Sequence, residues 1–239
     1  MRLYKFLSVE HAIDNLFKKR IKISEYQDMN DPFELDGYKL VSPGTPKALL
    51  ARYREIMLGT IREGGAICFS ETFAQPLLWS HYGDKHRGCC VAFDVADGDH
   101  VRQPILCDRK PEIQIDMLSL FKAQARHGGR VPESGIDPEF DSLLAEHSKN
   151  TDKIMLSKFV GWKYEEERRI LIHLQPGQKD GNLYFAELDE NIKPVEVLLG
   201  ARCEPDTEKK FSDAVNSYDP PLPVSRTGFS ADTFEVIRS

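Results

Sequence analysis

The chain has 239 residues, 41% of them hydrophobic and 29% charged, with a net charge of −6. That length suits one large domain and that composition an ordinary globular protein. The acidic balance gives no general electrostatic footprint for nucleic acid, and no apolar run approaches the roughly 20 residues needed to cross a bilayer.

Residues Met1 to Leu7 meet charge too soon for a secretory signal and read as a first strand, so a cytoplasmic protein away from membranes is expected. Cys68, Cys89, Cys90, Cys107 and Cys203 are odd in number and include no C-x-x-C pair, which predicts free thiols rather than a disulfide framework or a zinc site. Cys89 and Cys90, adjacent on a strand, point to opposite faces.

After the first strand, Ser8 is a helix N-cap, and Ala12, Ile13, Leu16 and Phe17 recur at helical spacing. Ile21 to Ser24 is a second short strand, and Asn30-Asp31-Pro32-Phe33-Glu34 is a turn with an aromatic anchor. Pro46 to Leu58 is helical, Ala66 to Ser70 a buried central strand, and Cys89 to Asp94 another, reached through Trp79-Ser80-His81-Tyr82-Gly83 and a polar loop. From about 96 to 158 the pattern predicts a helical insertion, with helices over Ile113 to Phe121 and Phe140 to His147 and a loop from Gly128-Gly129 to Pro138. Later strands are expected at Leu183 to Ala186, Val195 to Leu199, Pro223 to Val224 and Thr233 to Ile237, with a helix from Pro205 to Val215. The sum is a single α+β domain over 1–239: a split, mostly antiparallel sheet with flanking helices and one insertion.

The chemically dense stretch is Trp162-Lys163-Tyr164-Glu165-Glu166-Glu167-Arg168-Arg169, running into Ile170-Leu171-Ile172. In an extended segment Glu165, Glu167 and Arg169 share one face, with Arg169 as counter-ion to two neighbouring carboxylates. The competing reading is a structural ion-pair cluster at a strand end. Ser70, His81 and Asp84 lack a G-x-S-x-G elbow, His81 and His86 miss the H-E-x-x-H spacing, and neither a Walker loop nor G-x-G-x-x-G occurs. No metal ligand set is predicted.

Four blocks carry a resemblance: Leu3-Tyr4-Lys5-Phe6; Asn30 to Glu34; Cys68-Phe69-Ser70 with Leu78 to Gly83 and Gly88; and Trp162-x-Tyr164-Glu165-x-Glu167-x-Arg169. In order and spacing the chain resembles a bacterial family of uncharacterised proteins, DUF2971, whose members resemble abortive-infection proteins of the AbiGi type. More loosely it is similar to ADP-ribosyltransferases, whose split sheet holds NAD through a polar or basic residue on an early strand, a serine or tyrosine on a central strand and a later glutamate. That resemblance implies Tyr4 or Arg2 at the first position, Ser70 at the second and Glu165 or Glu167 as the catalytic carboxylate. It further implies Trp79, His81, Tyr82, Arg169 and Asn30 around NAD.

The expected function is therefore an NAD-dependent ADP-ribosyltransferase-like effector of phage defence. Its macromolecular acceptor would be a protein or nucleic acid, with a cognate antitoxin or chaperone as a possible partner. Two other classes compete: a non-catalytic sensor or antitoxin-like binding module, and a magnesium-dependent nuclease using Asp31, Glu34, Glu165 and Glu167.

Overall fold

The computed structural model describes residues 1–34, 36–128, 130, 133 and 135–239, and of residue 120 the backbone alone. The loop expected from Gly128-Gly129 to Pro138 falls in part outside these residues. The chain forms two compact units, one of 1–24, 65–103 and 161–239 and the other of 25–64 and 104–160.

In chain order the elements begin with β1 (Arg2–Leu7), α1 (Val9–Phe17), β2 (Arg20–Glu25), β3 (Lys39–Val41) and α2 (Lys47–Arg62). They continue with β4 (Gly64–Ser70), α3 (Pro76–His81), β5 (Cys89–Val95), β6 (Val101–Arg102), β7 (Ile105–Cys107) and β8 (Glu112–Gln114). Next come α4 (Met117–Arg126), α5 (Pro138–Leu156), β9 (Ser157–Phe159), β10 (Glu167–His173), β11 (Lys179–Asp180) and β12 (Leu183–Glu187). The last are β13 (Ile192–Leu199), α6 (Thr207–Lys210), α7 (Ser212–Asn216), β14 (Val224–Phe229) and β15 (Val236–Arg238).

The first unit is organised by a sheet of order β11-β12-β2-β4-β1-β5-β13-β14-β15, with β10 branching from β4 and carrying β6. Its pairing is mostly antiparallel, with β13 and β14 parallel. The α+β class and the mostly antiparallel sheet agree with the sequence pattern. Strand β1 lies full length along β5, but its register with β4 is the pair Tyr4↔Ser70. Where those two strands diverge, the Lys5 ammonium donates to the Cys68 carbonyl at 3.1 Å.

Alternation then fixes the two faces. Leu3, Cys89, Val91, Phe93, Val197 and Leu199 bury one face against α1 and α7, whose Leu16 and Val215 belong to the same core. Phe6, Cys90 and Leu198 bury the other against Leu78, Trp79 and Val236. The adjacent cysteines fall into opposite cores, as strand geometry requires. Ser8 caps α1 by accepting the His11 N–H at 3.3 Å.

The second unit differs in its bounds from the single insertion read at about 96–158. It is assembled from two excursions, 25–64 and 104–160, tied by the parallel pair β3–β8 (Leu40↔Ile113). Residues 112–114, read as the start of a helix, are strand β8 because they supply that pairing, and the helix begins at Met117.

Gly200 shows how tightly the first unit closes around the loop before β5. A methyl group on Gly200 would run into the His86 carbonyl, and the Gly200 N–H donates to the Gly88 carbonyl at 2.9 Å. Gly59, mid-helix in α2, has nothing within 4 Å of where a methyl would stand. Gly200→Ala is therefore expected to lower stability by about 1–3 kcal/mol through overpacking. Gly59→Ala is expected to raise it by about 0.5–1 kcal/mol through helix propensity. Urea denaturation of the two variants reads both signs.

Candidate active site

The charged stretch does not enter its strand as a simple extended segment. Residues Val160–Glu165 form a 3-10 turn, Glu166 takes a left-handed φ of 44°, and the strand begins at Glu167. The expected alternation holds from Glu167 onward and fails before it. A helical turn plus one left-handed residue delivers Glu165 to a buried position and Glu167 to a half-buried one by different routes.

Glu167 and Arg169 form the best-defined pair. The Arg169 Nε donates to Oε1 at 2.7 Å and Nη2 to Oε2 at 3.0 Å, so the carboxylate is gripped on both oxygens. Arg169 is fully buried, at 0% exposure. The neighbouring Ile170 joins the core of the opposite face, which puts Glu167 and Arg169 on the side of Cys68 and Ser70. Contact agrees: the Cys68 thiol bonds to Glu167, and burial first, that carboxylate second, push the thiol up to about 12. Lys5 is shifted the other way, its ammonium disfavoured by burial and partly restored by Cys68 and Glu167.

Glu165 is buried and accepts the Tyr82 hydroxyl at 2.6 Å. Burial, and next the Glu165 charge, hold the Tyr82 phenol protonated far above its ordinary range. Around this bond stand three further rings. His81 lies 6.1 Å from Tyr82, 6.4 Å from Trp162 and 6.3 Å from Tyr164, centroid to centroid, and Trp162 lies 6.0 Å from Tyr164. His81 is exposed while Trp162, Tyr164 and Tyr82 are half-buried. The result is a buried carboxylate beside an aromatic group open to solvent on one side, able to hold a flat, electron-poor ring.

The other sequence candidates divide. Tyr4 and Ser70 face each other in register, and Tyr4, like Tyr82 and Tyr164, packs against the apolar cluster of Phe6 and Trp79. Ser70 is buried, with its Oγ accepting the Thr72 N–H at 3.1 Å. Arg2 is exposed and bonds Asp94, its neighbour across the ladder, at 2.7 Å. Trp79 is fully buried: its indole N–H donates to the Phe73 carbonyl at 2.6 Å, and its ring meets Phe6 edge-on and stacks on His86. It has no face to offer a ligand and is a core anchor, as large aromatic side chains usually are. Asn30 is exposed and belongs to the second unit, beside Asp31, whose carboxylate accepts the Phe33 N–H at 2.9 Å.

Cys68, Lys5 and Tyr164 stand in the motif blocks of the sequence but were assigned no role in the site there. The signal for Cys68 was there, since two residues before Ser70 on a strand means the same face.

Residues 78–170 match the model of a family described as protein of unknown function (DUF2971). Over that stretch the chain is similar to this family. The match runs from Leu78 in α3 to Ile170 in β10, so it takes in Tyr82, Glu165, Glu167 and Arg169 together. No curated protein and no solved structure matches the chain. Among the described residues no helix is long and apolar enough to cross a membrane. Nor does any group of three or more His, Cys, Asp or Glu among them stand ready for a metal, and Glu34, one of the carboxylates considered for magnesium, lies 3.9 Å from the Lys158 ammonium instead.

Because Arg169 is sealed from water, removing Glu167 alone takes two charge-assisted hydrogen bonds from a buried guanidinium. Glu167→Leu is expected to cost about 3–5 kcal/mol, and Glu167→Leu with Arg169→Met to recover most of that loss. Denaturant titration of the single and double variants measures the coupling.

Proposed function

We propose that the first unit splits the nicotinamide–ribose bond of NAD and passes ADP-ribose to a macromolecular acceptor, as an effector in phage defence. The observation that supports this reading most is the bond between Tyr82 and Glu165 within an aromatic group that includes His81, Trp162 and Tyr164. Breaking that glycosidic bond develops oxocarbenium character on the ribose, and a fixed carboxylate at its side stabilises the growing positive charge. NAD brings a cationic pyridinium ring, which suits electron-rich ring faces next to an acidic group.

We assign the charge-stabilising role to Glu165, since it is the carboxylate among the rings. Glu167 gives both oxygens to Arg169, and that pair holds the start of β10 in place. Tyr4 and Ser70, register partners on the neighbouring strands, support the ribose side. Tyr82, kept protonated, orients the Glu165 carboxylate.

Purified protein incubated with NAD and a cell extract is expected to release nicotinamide and to label a macromolecule. Glu165→Gln is expected to reduce the release about 100-fold or more while the fold persists. Absence of nicotinamide release and labelling across extracts would remove the transferase reading and leave the binding-module alternative in its place.

A further inference from the structure

The motif Asn30-Asp31-Pro32-Phe33-Glu34 has no part in the chemistry above, yet it is built with care. Its two carboxylates turn inward: Asp31 is 8% exposed and Glu34 5%. Asp31 closes the turn through the Phe33 N–H at 2.9 Å, and Glu34 lies 3.9 Å from the ammonium of Lys158, itself buried. At Gly37 a Cβ would stand 2.6 Å from the Phe33 carbonyl oxygen, so only glycine lets the turn close this tightly. This buried frame presents a phenyl ring outward, with Phe33 51% exposed.

Phe159, at the end of β9 and in register with Cys107, is 52% exposed. Phe33 and Phe159 line one cavity of about 270 Å³ together with Asp108, Arg109, Lys110 and Lys158. The Lys110 ammonium lies 5.3 Å from the Phe33 ring centroid and 2.8 Å from Asp36, and Lys158 answers Glu34. Arg109 is exposed, and no described carboxylate forms an ion pair with it. The cavity is thus lined by two phenyl rings and by one guanidinium that, among the described residues, has no carboxylate in ion-pair contact. A plain anion would leave the rings idle, and an apolar ligand would leave the arginine idle. A nucleotide uses both, its base stacking on phenyl and its phosphate taking the guanidinium.

We propose that the second unit carries a nucleotide-binding site of its own, formed by Phe33, Phe159 and Arg109. The site is separate from the NAD reaction and stands or falls without it. Its ligand is either a free mononucleotide or one unpaired nucleotide of a strand, since both present the same base and phosphate.

The test uses the full chain, a fluorescent single-stranded DNA of about ten nucleotides, and AMP in direct titration and as competitor. Binding by either ligand is expected, weakened roughly tenfold or more in Phe33→Ala and in Arg109→Ala, with a shallower salt dependence in the latter. Full displacement of the strand by AMP would make the mononucleotide sufficient; binding of the strand alone would make the site one for unpaired nucleic acid. Both side chains are exposed, so the variants should fold, and circular dichroism checks it. The proposal is overturned if neither ligand binds up to about 1 mM, if both variants bind as the wild type does, or if inorganic phosphate displaces the strand as well as AMP does.

Discussion

A guanidinium with no exposed surface must be answered inside the protein, and Arg169 is answered by Glu167 on both its oxygens. Burying such a pair costs several kcal/mol per ion before the mutual attraction is counted, so it is poor evidence of a stability device. Its value is positional. It fixes the first residues of β10 on the sheet face that carries Cys68 and Ser70, and the left-handed turn at Glu166 then sets where Glu165 must go. The bond from Tyr82 arrives from the far side of the sequence, so two elements that carry the aromatic rings are held by charges they both touch.

The sheet makes this possible through its divergence. β1 and β4 meet in register at Tyr4 and Ser70, while Lys5 spans to the Cys68 carbonyl with its side chain. A lysine spends burial there for a backbone bond, and its ammonium is correspondingly disfavoured. On the opposite face the same strands form a continuous aliphatic core with α1 and α7. Both faces are packed, one by this core and the other by the cluster around Phe6 and Trp79, and the polar groups Ser70, Glu167 and Arg169 share the second face with that cluster.

Much of this was legible in the sequence because it follows from period-two alternation. The strands at 2–7, 64–70, 89–95 and 192–199, the opposed faces of Cys89 and Cys90, and the Ser8 cap are local consequences of residue type. What alternation could not reveal was its own interruption. Glu166 adopts φ 44° although nothing in a run of glutamates signals a left-handed residue, and so Glu165, the last residue of the 3-10 turn, was read as part of the extended segment. Trp79 is ambiguous for a different reason: an aromatic in a polar segment suits a ligand as well as a core, and only tertiary packing decides, here with Phe6 and His86 around it. The second unit was half visible, because its two excursions are joined by a three-residue parallel pairing that no local pattern announces.

The chain contains two tryptophans, and they report on the central claim separately. Trp162 stands half-buried in the aromatic group beside Glu165, and Trp79 is sealed in the core with its indole N–H bonded to Phe73. An NMR titration with a non-hydrolysable NAD analogue, following the two indole N–H signals, therefore reads the site directly. The Trp162 signal is predicted to shift to saturation while that of Trp79 stays in place, and Glu165→Gln to weaken the shift. An unmoved Trp162 signal at saturating analogue would contradict the account.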